Sequence, residues 1–133
     1  MNINELIEGA LEAREGAYVP YSNFKVGAAI LMEDGKVYTG CNIENASLGA
    51  TNCAERTAIF KAVSEGYKTI KAVAVTGDPN SYTYPCGICR QVIVEFADKG
   101  DIPIIIVKNK NDYIETTLDE ILPGSFTKKD LKL

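Results

Sequence analysis

The chain has 133 residues, of which 46% are hydrophobic, and this is enough to build one core and one domain spanning 1–133. Its 18 acidic residues outnumber its 14 basic residues, and no apolar run is long enough to cross a membrane. We therefore expect neither a nucleic acid nor a membrane as a partner. The sequence contains no histidine, which excludes Ser-His-Asp and Cys-His nucleophiles and histidine-based metalloproteases.

The N-terminal segment predicts an amphipathic helix over residues 4–15, because apolar side chains recur at helical spacing with charged residues between them. It has no basic region followed by an apolar stretch, so it is not typical of a secretion signal. We expect a soluble cytoplasmic protein. In that reducing compartment the four cysteines favour metal binding over disulfides.

A hairpin and a helix are predicted next along the chain. Two apolar segments, 26–32 and 37–43, flank the turn sequence Asp34-Gly35, which is a strong hairpin signal. Asn52 is the expected N-cap of a helix that ends near Gly66.

The remaining segments predict strands that alternate with a helix. Buried strands are expected at 70–76 and 102–107, a helix at 86–97 between them, and a short fifth strand at 114–117. Strands separated by helices of this length pair in parallel through crossover connections. The predicted fold class is therefore α/β, with a mixed sheet of about five strands.

Two short motifs carry the candidate chemistry: the sequence CAE at 53–55 and the sequence PCGIC at 85–89. Both begin predicted helices that follow strands, so the two helix N-termini are expected to meet at the edge where α/β sheets bind ligands. Cys86 and Cys89 share one helical turn, and Cys53 closes the group from the other helix. Three thiolates suit zinc, and a tetrahedral ion with three protein ligands keeps the open position that is typical of catalytic zinc.

Glu55 is the candidate proton carrier at this site. It stands two residues from Cys53 and so does not share its helical face, which places it beside the open position rather than among the ligands. Its alternative role is a capping box with Asn52, three residues earlier.

Three thiolates on a divalent cation leave a net charge of about −1, and this weakens the ability of the metal to acidify water. Arg56, one helical turn from Cys53, is spaced to donate a hydrogen bond to a ligand sulfur. An ordinary salt bridge is its alternative role. Arg90, next to Cys89, is a second candidate for offsetting the charge.

Two other interpretations of the cysteines remain open. A structural zinc site needs a fourth ligand, for which Cys41 is the spare cysteine, although a small buried hydrophobe is its expected role. The Pro-Cys-x-x-Cys segment alone is also compatible with a thioredoxin-like redox pair.

The order of these motifs is that of zinc-dependent nucleobase deaminases. The chain resembles the cytidine deaminases, specifically the short homotetrameric class with three cysteine ligands. The resemblance covers nearly the whole length in five blocks that follow the family order: PYSNFKVGAA (20–29), NIENA (42–46), CAERT (53–57), PCGICRQ (85–91) and LPGSF (122–126).

The resemblance implies a three-layer α/β/α fold and one zinc ion per chain, bound by Cys53, Cys86 and Cys89. It implies that Glu55 moves protons while water adds to C4 of the cytosine ring and ammonia leaves. Cytidine and 2'-deoxycytidine would become uridine and 2'-deoxyuridine, a reaction of pyrimidine salvage.

The resemblance also implies the residues that bind substrate. Phe24 would pack on the base, Asn42 and Glu44 would bind ribose hydroxyls, and the Ala54 N–H would bond the base carbonyl. Phe126 would contribute to the pocket of a neighbouring subunit, so that active sites are shared in the homotetramer. The alternatives are a core role for Phe24, a solvated surface role for Asn42 and Glu44, and a cap on its own domain for Phe126.

Two positions depart from the family pattern: Leu48 stands where an aromatic residue is frequent, and Tyr84 stands where smaller residues are common. A carboxylate at the sugar, Glu44, would repel a phosphate, so a free pyrimidine nucleoside is expected rather than a nucleotide. The alternatives are a blasticidin-type or other aminopyrimidine nucleoside deaminase, and a noncatalytic zinc-binding module.

Overall fold

The computed structural model describes residues 1–98 and 101–132, so positions 99, 100 and 133 of the predicted domain lie outside the described residues. The strands of the sheet are β1 (Gly27–Met32), β2 (Val37–Cys41), β3 (Ile70–Thr76), β4 (Pro103–Asn109) and β5 (Asp112–Thr117). The helices are α1 (Ile3–Arg14), α2 (Ala54–Ser64), α3 (Gly87–Phe96) and the short α4 (Leu118–Ile121), and a 3-10 turn covers Leu48–Ala50.

The five strands form one mixed sheet in the order β2-β1-β3-β4-β5. β1 pairs antiparallel with both β2 and β3, β3 pairs parallel with β4 through the α3 crossover, and β5 returns antiparallel to β4. Both the hairpin at the Asp34-Gly35 turn and the α/β class with five strands are confirmed. β2 ends at Cys41, two residues earlier than predicted.

Side chains of β3 alternate between two cores, and this alternation gives the fold its three layers. Val73 and Val75 point into the larger core, beneath α2 and α3, whereas Ala72 and Ala74 belong to a second core beneath α1. Small alanines on the second face let α1 pack close to the sheet. Large buried aliphatic side chains contribute most of the packing energy, at about 1.5–3 kcal/mol each. The predicted α/β/α arrangement is confirmed.

The start of α2 differs from the prediction by one residue. The backbone of Asn52 exchanges two hydrogen bonds of 2.9 Å with Ile43, and its side-chain amide donates to Thr57 Oγ1 at 3.2 Å. These bonds hold Asn52 in extended geometry, so the N-cap is Cys53. The prediction of Asn52 as N-cap was wrong, and the capping box that was the alternative role of Glu55 does not form.

Cys41 was expected to be a small buried hydrophobe and is half-buried instead. It is the last residue of β2, which is an edge strand of the sheet, so one of its sides has no neighbouring strand. Among the described residues, no helix is both long enough and apolar enough to span a membrane.

Candidate metal centre

Three thiols meet where the N-termini of α2 and α3 converge. Cys53 and Cys86 are the N-caps of the two helices, and Cys89 lies in the first turn of α3. Their sulfur atoms all lie within 4.8 Å of one another, and those of Cys53 and Cys86 are 3.7 Å apart.

This spacing fits zinc. A tetrahedral zinc ion with bonds of ~2.3 Å holds its sulfur ligands about 3.8 Å apart. A disulfide would need about 2.05 Å, and all four cysteines are free. The three-sulfur donor set is also the one that zinc prefers over hard cations. Two helix N-termini point at the same place, so their positive dipole ends favour the thiolate form.

The protonation of the cluster is uneven. Hydrogen bonds from Cys89 first, and then from Arg56 and Cys86, lower the pKa of Cys53 to about 5. The pKa of Cys89 is raised, because its thiol donates to Cys53 and because it is buried. The cluster therefore holds a thiolate at Cys53, to which the neighbouring donors point, and a cation would replace the remaining thiol protons.

Arg56 supplies positive charge at the cluster. Its Nη2 atom donates to the sulfur of Cys53 at 3.2 Å. Its Nε atom is buried and has no hydrogen-bond partner among the described residues. The guanidinium is thus directed at the sulfur rather than at a carboxylate.

Arg90 does not act as the second charge donor that its position beside Cys89 suggested. Its guanidinium turns away and donates to the carbonyl oxygens of Pro85 at 2.7 Å and Ile121 at 2.6 Å. Both carbonyls are part-buried, so leaving them without a donor would cost free energy. Arg90 therefore fixes the backbone in front of Cys86.

Glu55 lies in the same cavity as the thiols, which has a volume of about 180 Å³. Its side chain is only 3% exposed, and burial raises its pKa to about 7. Cys53, Cys86 and Ala54 line this cavity as well. Ala54 is the first residue of α2, so its N–H has no partner within the helix and is available to a ligand.

Asn42 lines the thiol cavity and also fixes a loop. Its Oδ1 atom accepts from the N–H of Val26 at 2.9 Å, and its Nδ2 atom donates to the carbonyl of Phe24 at 2.8 Å. One amide hydrogen and one lone pair of the oxygen remain for a ligand.

Glu44 lines a neighbouring cavity, together with Leu48 and Thr51. Its carboxylate accepts from the N–H groups of Tyr21 and Ser22 at 3.0 Å and from the Ser22 hydroxyl. Thr51 also lines the thiol cavity, so the two cavities are adjacent. Asn42 and Glu44 thus hold the same loop from either end.

Phe24 and Phe126 lie outside the group of residues that line the thiol cavity within the described chain. Phe24 is 42% exposed and lines a separate cavity of about 510 Å³. Phe126 is 59% exposed, and its carbonyl accepts a hydrogen bond of 2.7 Å from Gln91 Nε2.

Some residues that line the cavity were missed by the sequence interpretation. Asn52, Thr83 and Val75 line the cavity, and so does Tyr84, which the sequence marks as a departure from the family pattern. Thr83 and Tyr84 immediately precede the PCGIC motif, and this adjacency is the signal that could have identified them.

An α/β sheet with three thiols and a buried carboxylate at paired helix N-termini defines a zinc-dependent hydrolase. The family described as the cytidine and deoxycytidylate deaminase zinc-binding region matches residues 1–110. The chain belongs to this family, and it is an enzyme of the hydrolytic deaminase class.

Individual relatives match nearly the whole chain in sequence and in fold. A cytidine deaminase from Sporosarcina psychrophila is 54% identical over 131 residues, which are 98% of this chain and 96% of the relative. One from Halalkalibacterium halodurans is 53% identical and is covered to 98% in both chains. The crystal structure of a cytidine deaminase from Burkholderia pseudomallei, 48% identical, superposes with a TM-score of 0.87 over 95% of this chain and all of that one.

Proposed function

We propose that this chain catalyses the hydrolytic deamination of cytidine and 2'-deoxycytidine to uridine and 2'-deoxyuridine, as a step of cytoplasmic pyrimidine salvage. The observation that carries the proposal is the placement of Cys53, Cys86 and the buried carboxylate of Glu55 in one cavity. We assign residues 1–133 to a single domain with this activity.

The reaction needs a nucleophile, a proton carrier and a cytosine ring that is held in a fixed position. When bound, zinc supplies a Lewis acid that makes water nucleophilic at neutral pH. Glu55 takes a proton from the attacking water and passes it to N3 of the ring as the oxygen adds to C4, and it then moves the remaining hydroxyl proton to the amino group. One water is consumed, the C4–N bond breaks, ammonia leaves and a carbonyl remains on the ring.

The remaining side chains orient the nucleoside. The N–H of Ala54 donates to the carbonyl of the base, and Asn42 and Glu44 use their spare hydrogen-bonding capacity on the ribose hydroxyls. We also propose that Phe24 packs on the base, although it lines a separate cavity rather than the thiol cavity. The loop that carries Phe24 is held by these same two polar residues, so binding of the sugar and packing of the base are coupled.

Replacing Glu55 by Gln tests the mechanism. Glu55→Gln keeps the shape of the side chain but removes the proton carrier, so we expect kcat to fall by at least ~100-fold. Zinc analysis should still find one ion per chain. Glu8→Gln, an exposed carboxylate on α1, is the matched control and should keep full activity.

Three outcomes separate the hypotheses. Zinc-loaded Glu55→Gln with undiminished activity would contradict the role of Glu55. If zinc-loaded wild type leaves the absorbance of cytidine unchanged, the nucleoside substrate is contradicted. That result would favour the alternative of a noncatalytic zinc-binding module. Faster turnover of blasticidin S than of cytidine in the same assay would favour the blasticidin-type alternative.

The proposal also includes the oligomeric state of the protein. We propose a homotetramer with shared active sites, in which Phe126 reaches the pocket of a neighbouring subunit and nucleic acid is not a partner. The exposed ring of Phe126 supports this, as do Ile88, 63% exposed, and Leu48, 79% exposed. Light scattering should give four times the 14.4 kDa mass of the chain.

A further inference from the structure

Arg14, at the end of α1, reaches the start of the loop that leads from β3 to Cys86. Its Nη1 atom donates to the carbonyl of Gly77 at 2.8 Å and to the hydroxyl of Thr76 at 3.3 Å. Its side chain is only 17% exposed, and Thr76 is fully buried. A charged donor therefore fixes the end of β3, where the segment leading to Cys86 begins.

The fold brings Arg14 to this point by close packing at a glycine. Gly27 pairs with Thr76 across the sheet. A Cβ on Gly27 would lie 2.5 Å from the backbone nitrogen of Arg14, so only glycine lets the last turn of α1 rest on β1 here. The position of Arg14 over β3 is consequently set by backbone contacts rather than by a flexible side chain.

Gly77 transmits this position to the cavity. The side chain of Thr83 lies 2.5–2.9 Å from the point where a Cβ on Gly77 would stand, so Thr83 packs directly on the Gly77 backbone. Thr83 and Tyr84 form part of the wall of the thiol cavity. Fixing Gly77 thus fixes the wall that faces the substrate.

The other end of the same loop is fixed independently. Arg90 donates to the carbonyl of Pro85, immediately before Cys86. The loop 77–85 is therefore held at both ends. Arg14 binds the carbonyl of Gly77, on which Thr83 packs, and Arg90 binds the carbonyl of Pro85, next to Cys86. The two anchors should have separable consequences: loss of the first disturbs substrate binding, and loss of the second disturbs zinc.

We propose that Arg14 is a positioning residue for nucleoside binding, which acts through Gly77 and Thr83 on the cavity wall. The inference rests on the proposed deaminase function. Arg14 is not among the residues that line the thiol cavity. Its contribution is to hold the wall in the shape that the base and sugar require.

The test compares Arg14→Met with Arg14→Lys in zinc-loaded protein. Arg14→Met keeps the apolar stem but removes both hydrogen bonds, so we expect KM for cytidine to rise about tenfold, which corresponds to ~1.4 kcal/mol, with kcat within about twofold of wild type. Arg14→Lys restores one charged donor and should recover part of the affinity. Lys25→Met removes a cation that lines the same outer cavity as Arg14 and is the control for loss of charge.

A second variant reaches the loop without altering α1. Gly77→Ala inserts a methyl group where Thr83 now packs and should raise KM in the same way. Combined with Arg14→Met it should add little, because both changes displace the same wall through Gly77. Hydrogen exchange of segment 78–84 should accelerate in both variants while α1 stays protected.

The outcomes distinguish this inference from the proposed function. If wild type does not deaminate cytidine, the proposed function fails. Faster hydrogen exchange of segment 78–84 in Arg14→Met would by itself still support the role of Arg14 in holding this loop. If wild type is active but KM and exchange are unchanged in Arg14→Met and Gly77→Ala, the positioning role is contradicted. A fall in kcat and zinc content at unchanged KM would also overturn it, because that is the effect expected for Arg90→Gln.

Discussion

Arg56 brings a full positive charge to the sulfur of Cys53, where three thiolates would concentrate negative charge. A cluster of three thiolates on a divalent ion is anionic, and an anionic centre acidifies water poorly. The hydrogen bond of 3.2 Å withdraws electron density from one ligand and so restores part of the acidity. Arg56 should therefore affect turnover more than folding.

Replacing Arg56 by Gln tests this electrostatic role. We expect kcat to fall by roughly 10–100-fold, the range found when groups that support metal ligands are removed. Arg56→Lys keeps the charge but not the planar donor, so its kcat should lie between those of wild type and Arg56→Gln. Lys36→Gln, an exposed lysine in the hairpin turn, is the control for net charge. Unchanged kcat and zinc content in Arg56→Gln would assign Arg56 a structural role alone.

Glu44 makes a pH-dependent contribution to stability. The hydrogen bond from the Ser22 hydroxyl first, and then those from the backbone, hold its pKa below the usual value. A carboxylate whose pKa is lowered on folding stabilises the protein above its unfolded pKa of about 4.3, and this contribution is lost as the pH falls through the folded pKa.

We therefore expect wild type to melt at a higher temperature than Glu44→Gln at pH 7, and the difference to shrink as the pH falls below the unfolded pKa of about 4.3 and through the folded pKa. As the thiolates protonate at low pH, zinc dissociates from both proteins to the same extent. The difference in melting temperature between them therefore reports on Glu44 alone. A constant difference across this range would contradict the assignment. Zinc content at pH 7 should be unchanged, while affinity for cytidine weakens if the carboxylate also binds ribose.

At the scale of elements, the hairpin and the buried strands could be predicted because their signals are local. The Asp34-Gly35 turn and the uninterrupted apolar runs leave few alternatives. The start of α2 could not be predicted, because the backbone pairing of Asn52 with Ile43 is a tertiary contact. The prediction for Cys41 was wrong for a related reason, since the sequence does not show that β2 lies at an edge.

Gly40 positions the first turn of α2 on the sheet. A Cβ at Gly40 would lie 2.6 Å from the Ala58 nitrogen and 2.7 Å from the Ala54 carbonyl. These are backbone atoms of the helix that carries Cys53 and Glu55, so they cannot move without moving the site.

We expect Gly40→Ala to lower the free energy of unfolding by about 1–3 kcal/mol, the usual cost of overpacking. Because α2 must shift, kcat should fall even at temperatures where the protein is fully folded. Gly49→Ala is the control, since no atom lies within 4 Å of its added methyl group. Urea unfolding and steady-state rates measure the two effects, and an undisturbed rate in Gly40→Ala would show that the helix accommodates the methyl group without displacing the site.

At the scale of the molecule, the metal site could be anticipated but its supports could not. Helix geometry fixes Cys86 relative to Cys89, and the placement of both motifs at helix N-termini that follow strands predicts that Cys53 joins them. The contact of Arg14 with Gly77 spans 63 residues and depends on how α1 crosses the sheet. No local pattern reveals such a contact.

Variants of Phe126 and Glu55 together test the proposed sharing of active sites between subunits. If Phe126 serves a neighbouring pocket, a chain with Phe126→Ala lacks that ring for its neighbour but keeps its own Glu55. A chain with Glu55→Gln is inactive itself but still offers Phe126. Neither variant alone should approach wild-type activity.

Co-expression of the two variants with different tags, followed by purification through both tags, yields mixed oligomers. With random assortment, about a quarter of the sites combine an intact Glu55 with an intact Phe126 from the neighbour. Activity per site should therefore rise clearly above that of either parent, whereas doubly tagged Glu55→Gln protein is the control and should stay inactive. If Phe126 acts within its own chain, every subunit with Glu55 lacks it, and the mixed oligomers will only average the two parents.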